Sequence, residues 1–370
     1  MRREVIASIL LLVASLVPVA KHASGAPTVL YVDQHATGAY DGTSWANAFV
    51  ALQDALSSAP ANSEIWVAGG SYRPGLSNTD TFTLKNDVAV YGGFAGTETS
   101  ISQRDVPANP TVLAGHNIID HVVTGVSVGS TAVLDGFTIT GGTGGGASGG
   151  GILLTSSNAT FANLVIAGNT ASTGGGGVFS NAGSPTFTNV VFAENSAGNG
   201  GGFAASSGGA PTFTNVVFTS NSARVDGGGL WSASGVSPTI NGALFSANGS
   251  MNEGGGLLTA GGVTTVSNAL FLLNSAYAAG GGVVIEIGAT AHYTNVTFAR
   301  NQAASGGGVY AAGPASTFLF STFVANRSST WMYPLSSHAT PAAGRLRRSV
   351  LGVRPVATRR WLPSNSRSPC

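Results

Sequence analysis

The sequence predicts an all-β chain, a right-handed parallel β-helix: a solenoid of stacked coils closed by an N-terminal capping helix. Two repeating markers and the glycine content predict it. An aromatic or aliphatic residue followed three positions later by asparagine recurs at Ile166/Asn169, Phe192/Asn195, Phe218/Asn221, Phe245/Asn248, Phe271/Asn274, Phe298/Asn301 and Phe323/Asn326. The steps between asparagines are 26, 26, 27, 26, 27 and 25 residues, a length that two or three short strands and their turns fill. Between the pairs stands a glycine triplet followed by an apolar residue, from Gly149–Gly151/Ile152 to Gly306–Gly308/Val309. The 54 glycines of the 370 residues would cost a helix about 1 kcal/mol each, but at turns they supply the left-handed conformations a coil needs to change direction.

The elements follow in chain order. Residues 1–25 read as a secretory signal peptide: a short basic start at Arg2 and Arg3, an apolar run from Val5 to Ala20, and small residues at Ala23–Ala26. The apolar run has about 16 residues against the roughly 20 of a membrane-spanning helix, so cleavage is expected. No later segment reads as a transmembrane helix. Residues 26–130 form an N-terminal cap and irregular first coils. There Thr43 or Ser44 is expected to cap a helix running to about Leu56, with Trp45, Ala48, Phe49, Leu52 and Leu56 as its apolar stripe. Strands are expected at Glu64–Val67 and Asp87–Tyr91.

Residues 131–326 carry the regular repeats. Pro185-Thr186-Phe187-Thr188-Asn189-Val190-Val191-Phe192 is β-branched, aromatic and alternating, as a strand requires. Ile152, Val178, Phe203, Leu230, Leu257, Val283 and Val309 share one phase and should form an inward ladder, with the repeat phenylalanines as a second. The asparagines Asn169, Asn195, Asn221, Asn248, Asn274, Asn301 and Asn326 should form a structural ladder at a turn, each side-chain amide donating to the next coil. Residues 327–370 hold eight arginines and no acid. They read as a basic tail, either a disordered arm or sequence not native to the fold, with low order expected from about residue 330.

Charge narrows the partners. The whole chain is +1, but residues 27–326 hold five basic residues against fourteen acidic ones, a net of −9. Nucleic acid is therefore not an expected partner, because phosphate binding needs clustered Lys and Arg. The single cysteine, Cys370, allows no intramolecular disulfide.

The paired Gly-Gly-Gly-apolar and Phe-x-x-Asn markers resemble the repeats of chlamydial polymorphic outer-membrane proteins. The opening segment Tyr31-Val32-Asp33, Gly42-Thr43-Ser44-Trp45, Leu52-Gln53-Asp54-Ala55-Leu56 and Ile65-Trp66-Val67-Ala68 is similar to the start of many pectate-lyase-like β-helix proteins. The resemblance implies a right-handed β-helix on a secreted or cell-surface protein, extracellular or associated with the outer membrane.

Candidate chemistry is sparse. Asp226 and Glu253 each fall eight residues after their repeat's phenylalanine, which places them on adjacent coils about 5 Å apart. Such a pair could act as acid and nucleophile or share a cation; equally, both could be polar turn residues. His116, Asp120 and His121 fit no metal-binding spacing and read as structural. The glycine run 141–151 lacks both the Lys-Ser/Thr of a phosphate loop and the aspartates of Ca²⁺-binding repeats. Phe179, Trp231 and Tyr310 follow the inward ladder by one residue and should point outward, where aromatic rings can stack on sugars. The leading expectation is a non-catalytic protein of adhesion or glycan binding, with polysaccharide or a host-cell surface as partner and no cofactor or metal. The alternative is a polysaccharide lyase or hydrolase, the one case in which Ca²⁺ would enter.

Overall fold

The structure, a computed structural model, describes residues 25–233, 235–312 and 316–329. The signal-peptide reading of the first residues and most of the basic tail lie outside the described residues.

Over the described residues the chain winds as a parallel β-helix whose three sheets have fifteen, nine and six strands. We call them the long, medium and short sheets. A regular coil begins with an eight-residue long-sheet strand such as Thr186–Ala193. It then passes a short-sheet strand, Ser196–Ala197, and ends on a medium-sheet strand, Phe203–Ser206. Like residues stack on like. Ile152, Val178, Phe203, Leu230, Leu257, Val283 and Val309 pair in one straight register through the medium sheet, and the first six are fully buried.

The lumen is filled from the long sheet by Phe192, Phe218, Phe245, Phe271, Phe298 and Phe323. Their rings stack at centroid separations of 4.4, 4.7, 4.5, 5.0 and 4.8 Å. The separations match the ordinary interstrand spacing of about 4.8 Å, so each ring covers the one below with no void. Phe161, Phe187 and Phe213 form a second stack nearer the start of the strands.

At the turn after each long strand, the asparagines form a continuous buried ladder. Asn195 donates its backbone N–H and Nδ2 to Asn221 Oδ1, both at 3.1 Å, and Nδ2 also donates to the Ile166 carbonyl at 2.8 Å. The same three bonds recur at Asn221, Asn248, Asn274 and Asn301. Coils of 25, 26 and 27 residues keep this geometry, because the extra residues are taken up in loops away from the ladder. The last link, Asn326, is followed by Arg327–Ser328, which still pairs with Gln302–Ala303 in the short sheet.

The N-terminal helix α1 spans only Leu52–Ser58, and Ala51 at its start offers no side-chain cap. This corrects the expected start at Thr43 or Ser44. The donors of the preceding stretch are committed elsewhere. Asp41 Oδ1 holds the N–H and hydroxyl of Thr43, Ser44 Oγ accepts from Asn47 N, and Phe49 pairs in extended form with Tyr31 and Asp33. Trp45 therefore leaves the expected stripe. It packs on the outer face with Tyr31, Trp66 and Phe94. Leu52, Ala55 and Leu56 still close the lumen as a lid, and Lys85 Nζ binds the carbonyls of Leu56 and Ala59 at the helix end.

Candidate functional site

The three glycines of each triplet meet different constraints, and together they shape the turn that carries the candidate site. Gly227 has φ +64°, and a Cβ there would lie 2.7 Å from Trp231 Cβ. The turn thus folds directly against the outward residue of the medium sheet. A Cβ on Gly228 would overlap the Gly249 carbonyl of the next coil, and one on Gly229 would press on Phe245 and the Asn248 amide. Only glycine satisfies all three positions, so the turn runs tightly over the sheet and brings Asp226 beside Trp231, as the next triplet brings Glu253 beside Leu258.

Asp226 and Glu253 occupy adjacent coils. Asp226 Oδ1 accepts from the Glu253 backbone N–H at 3.0 Å and from Asn252 Nδ2 at 2.9 Å, so part of its carboxylate organises the turn. The Glu253 carboxyl is pushed above the ordinary glutamate range, first by partial burial and then by the charge of Asp226. Glu286, which follows medium-sheet strand Val283–Ile285, is raised by the same causes: burial, then Asp226, then Glu253. A third carboxylate thus shares the field of the expected pair. No periodicity reveals it, because Glu286 lies 33 residues after Glu253 and off the repeat phase.

Arg224 does not join the group; its Nη2 donates to the Ser172 carbonyl at 2.6 Å. The residues present do not fit a Ca²⁺ site. Asp226 Oδ1 is already taken by two donors, and among the described residues no three His, Cys, Asp or Glu side chains are disposed to hold a metal.

Phe179, Trp231 and Tyr310 stand in one outward file of the medium sheet, with Leu153 before Phe179 and Ala204, Leu258 and Val284 between the aromatics. Their exposure is unequal. Phe179 and Trp231 are half-buried and Tyr310 is open at 40%, while Leu258 and Val284 are covered by Ala279 of the neighbouring turn. The outward phase is readable from alternation, but the covering turn is not. Met251, two residues before Glu253, is 69% exposed, and Tyr277, on the next coil and paired to the Ser250 carbonyl, is 81% exposed; reading for repeats passed over both.

The remaining candidates are structural bonds. His121 Nδ1 contacts the Gly149 carbonyl at 2.9 Å, and Asp120 accepts from Asn78 Nδ2 at 2.9 Å. Asp135 pairs with Arg104 at 2.7 Å, with both side chains buried.

A second asparagine file also escaped the sequence reading. Asn163, Asn189, Asn215, Asn268 and Asn295 sit at the mid-strand bend of the long sheet with φ of 51–55°, a conformation that Asn and Gly adopt with least strain. Their amides link coil to coil, as Asn295 Nδ2 to Asn268 Oδ1 at 2.8 Å. The signal was Asn two residues after the first inward side chain of the long strand, at Phe161, Phe187, Phe213, Val266 and Tyr293.

Three parallel sheets around one lumen, with a polar turn strip along the outside, define a β-solenoid. Residues 108–271 match the family described as a right-handed β-helix region, so the fold is a right-handed parallel β-helix. The crystal structure of the pectate lyase Pel9A is similar, with 13% identity, a TM-score of 0.45, and coverage of 81% of this chain and 79% of that one. The A-module of the Azotobacter vinelandii mannuronan C-5 epimerase AlgE4 aligns with 15% identity and a TM-score of 0.26, over 78% of this chain and 92% of that one. No curated protein matches the sequence. Among the described residues, no helix is long and apolar enough to cross a membrane.

Proposed function

We propose that the chain is a non-catalytic, exported or cell-surface β-helix protein that binds neutral polysaccharide along the strip between its short and medium sheets, and so serves adhesion. The observation that carries this reading is the position of Trp231. It stands half-buried on the outward face beside Gly227, the residue after Asp226, and packs with Leu258 and Ala279, with Tyr277 exposed two residues before Ala279. Aromatic faces stack on the C–H faces of sugar rings, and carboxylates accept hydrogen bonds from hydroxyls.

Charge favours a neutral glycan over a polyuronate. Residues 131–326 hold only two basic side chains, Arg224 and Arg300, and Arg224 is occupied. An anionic chain would meet the three acids with no counter-charge.

One observation favours a second reading. A carboxyl of raised pKa beside another carboxylate is the arrangement of a general acid and its partner in glycoside cleavage, so Asp226 and Glu253 are the residues of a lyase or hydrolase alternative. A glycan array together with retention on insoluble neutral polysaccharide, run on the full chain and on Trp231→Ala, tests the proposal. Binding is expected to fall about tenfold in the variant. Undiminished binding removes the site from this strip. Product formation in a polysaccharide cleavage assay, with or without Ca²⁺, that is lost in Asp226→Ala replaces the proposal with the enzyme.

A further inference from the structure

The outer face of the long sheet carries a different array. In each coil the residues on either side of the first inward long-sheet side chain point outward. Those before it pair in one straight file through Thr160, Thr186, Thr212, Thr239, Thr265, His292 and Thr317. Those after it form a second, mixed file of Ala162, Thr188, Thr214, Asn241, Ser267, Thr294 and Leu319. The side chains between the files, from Phe161 to Tyr293, are fully buried, so the outward direction of both files follows from the pleat.

Apart from His292, neither file holds an ionisable residue from 160 to 319, and neither presents a Phe, Tyr or Trp ring outward. The Thr186, Thr188, Thr212, Thr214, Thr239 and Thr265 side chains make no hydrogen bond to another described residue, whereas neighbouring amides such as Asn268 and Asn295 are linked to one another. These six threonines therefore each offer an unused hydroxyl beside a methyl group, whereas Thr160 donates to the Ser130 carbonyl and Thr317 pairs with His292. The array repeats about every 4.8 Å along a file and about every 6.7 Å between files.

The possible occupants differ in what they need. A charged polymer finds no counter-charge here, and a sugar chain finds no ring to stack on. The first file spans six coil steps, about 29 Å, and the pair of files covers about 200 Å². That is far below the roughly 800 Å² per partner of a stable protein interface, so a second copy of the chain is not the fit. A lattice of water matches each term. It is neutral, it donates to and accepts from hydroxyls, and methyl groups between them favour ordered over mobile water.

We propose that the threonine files of the long sheet form an ice-binding face, distinct from the glycan strip. The test is nanolitre osmometry with ice-crystal imaging on the full chain and on Thr212→Tyr/Thr239→Tyr/Thr265→Tyr. Tyrosine is a good strand residue, and circular dichroism checks that the variant still folds. The expected result is faceted ice growth and thermal hysteresis for the unaltered chain, both lost in the triple variant. Unshaped growth with the unaltered chain, or shaping that survives the three substitutions, overturns the proposal. So does retention on an insoluble neutral polysaccharide that the same substitutions abolish without any effect on ice.

Discussion

At the scale of single residues, the most informative groups are the two raised carboxyls. Glu253 and Glu286 hold their protons more tightly in the folded chain than an ordinary glutamate does. A folded-state pKa above the unfolded one means that folding is favoured at low pH and penalised as pH rises through the ordinary glutamate range. Glu253→Gln removes that penalty. The variant is expected to be more stable than the parent at about pH 7 and no more stable at about pH 3. Urea denaturation midpoints at the two pH values check this, and a loss of stability at the higher pH would contradict the assignment. Asp226 and Glu253 were visible in the sequence because both keep the repeat phase. Glu286 was not, because it reaches the pair across coils and not along the chain. Trp231 was legible as outward-facing, but its half-burial depends on a turn whose path only the fold shows.

At the scale of elements, the glycine triplet sets what each turn tolerates. A Cβ at Gly228 would meet the backbone carbonyl of Gly249, which cannot yield, whereas one at Gly249 would find ordinary contacts at 3.6 Å and beyond. Gly228→Ala should therefore destabilise by about 3 kcal/mol or more, in line with overpacking against rigid neighbours. Gly249→Ala should be neutral or stabilise by up to about 1 kcal/mol, since it restricts the unfolded chain. Thermal denaturation of the two variants separates a constrained glycine from a dispensable one, and equal effects would sink the account. The strands and the inward files were readable because period-2 alternation and the 26-residue repeat agree. The helix was misread for an equally physical reason. Trp45, Ala48 and Phe49 have helical spacing, but Asp41, Ser44 and the edge of Tyr31–Asp33 take up the backbone donors that a helix would need.

At the scale of the whole molecule, every coil presents nearly the same surface to the coil on either side, so stability is close to a sum of nearest-neighbour terms. Deleting residues 196–221, one asparagine-to-asparagine step of 26 residues, joins Asn195 to Ser222 and leaves Phe179, Trp231 and the acids in place. The shortened chain is expected to fold and to lose about 4.8 Å of length in X-ray scattering. An unfolded product would show that the coils are not interchangeable. The charge distribution also belongs to this scale: the chain-wide value of +1 conceals a body of −9 over residues 27–326, and that body decides which polymers can approach.

The buried amide ladder has a direction. Each asparagine gives its backbone N–H and one amide hydrogen to the oxygen of the coil that follows, and the other amide hydrogen to a carbonyl of the coil before. A growing stack therefore always ends, on its C-terminal side, in two donors awaiting one acceptor. The next coil to emerge brings that acceptor, and by docking it exposes the next two donors. The ladder is thus polar along its length, and each docked coil presents the donors that the oxygen of the next coil fills.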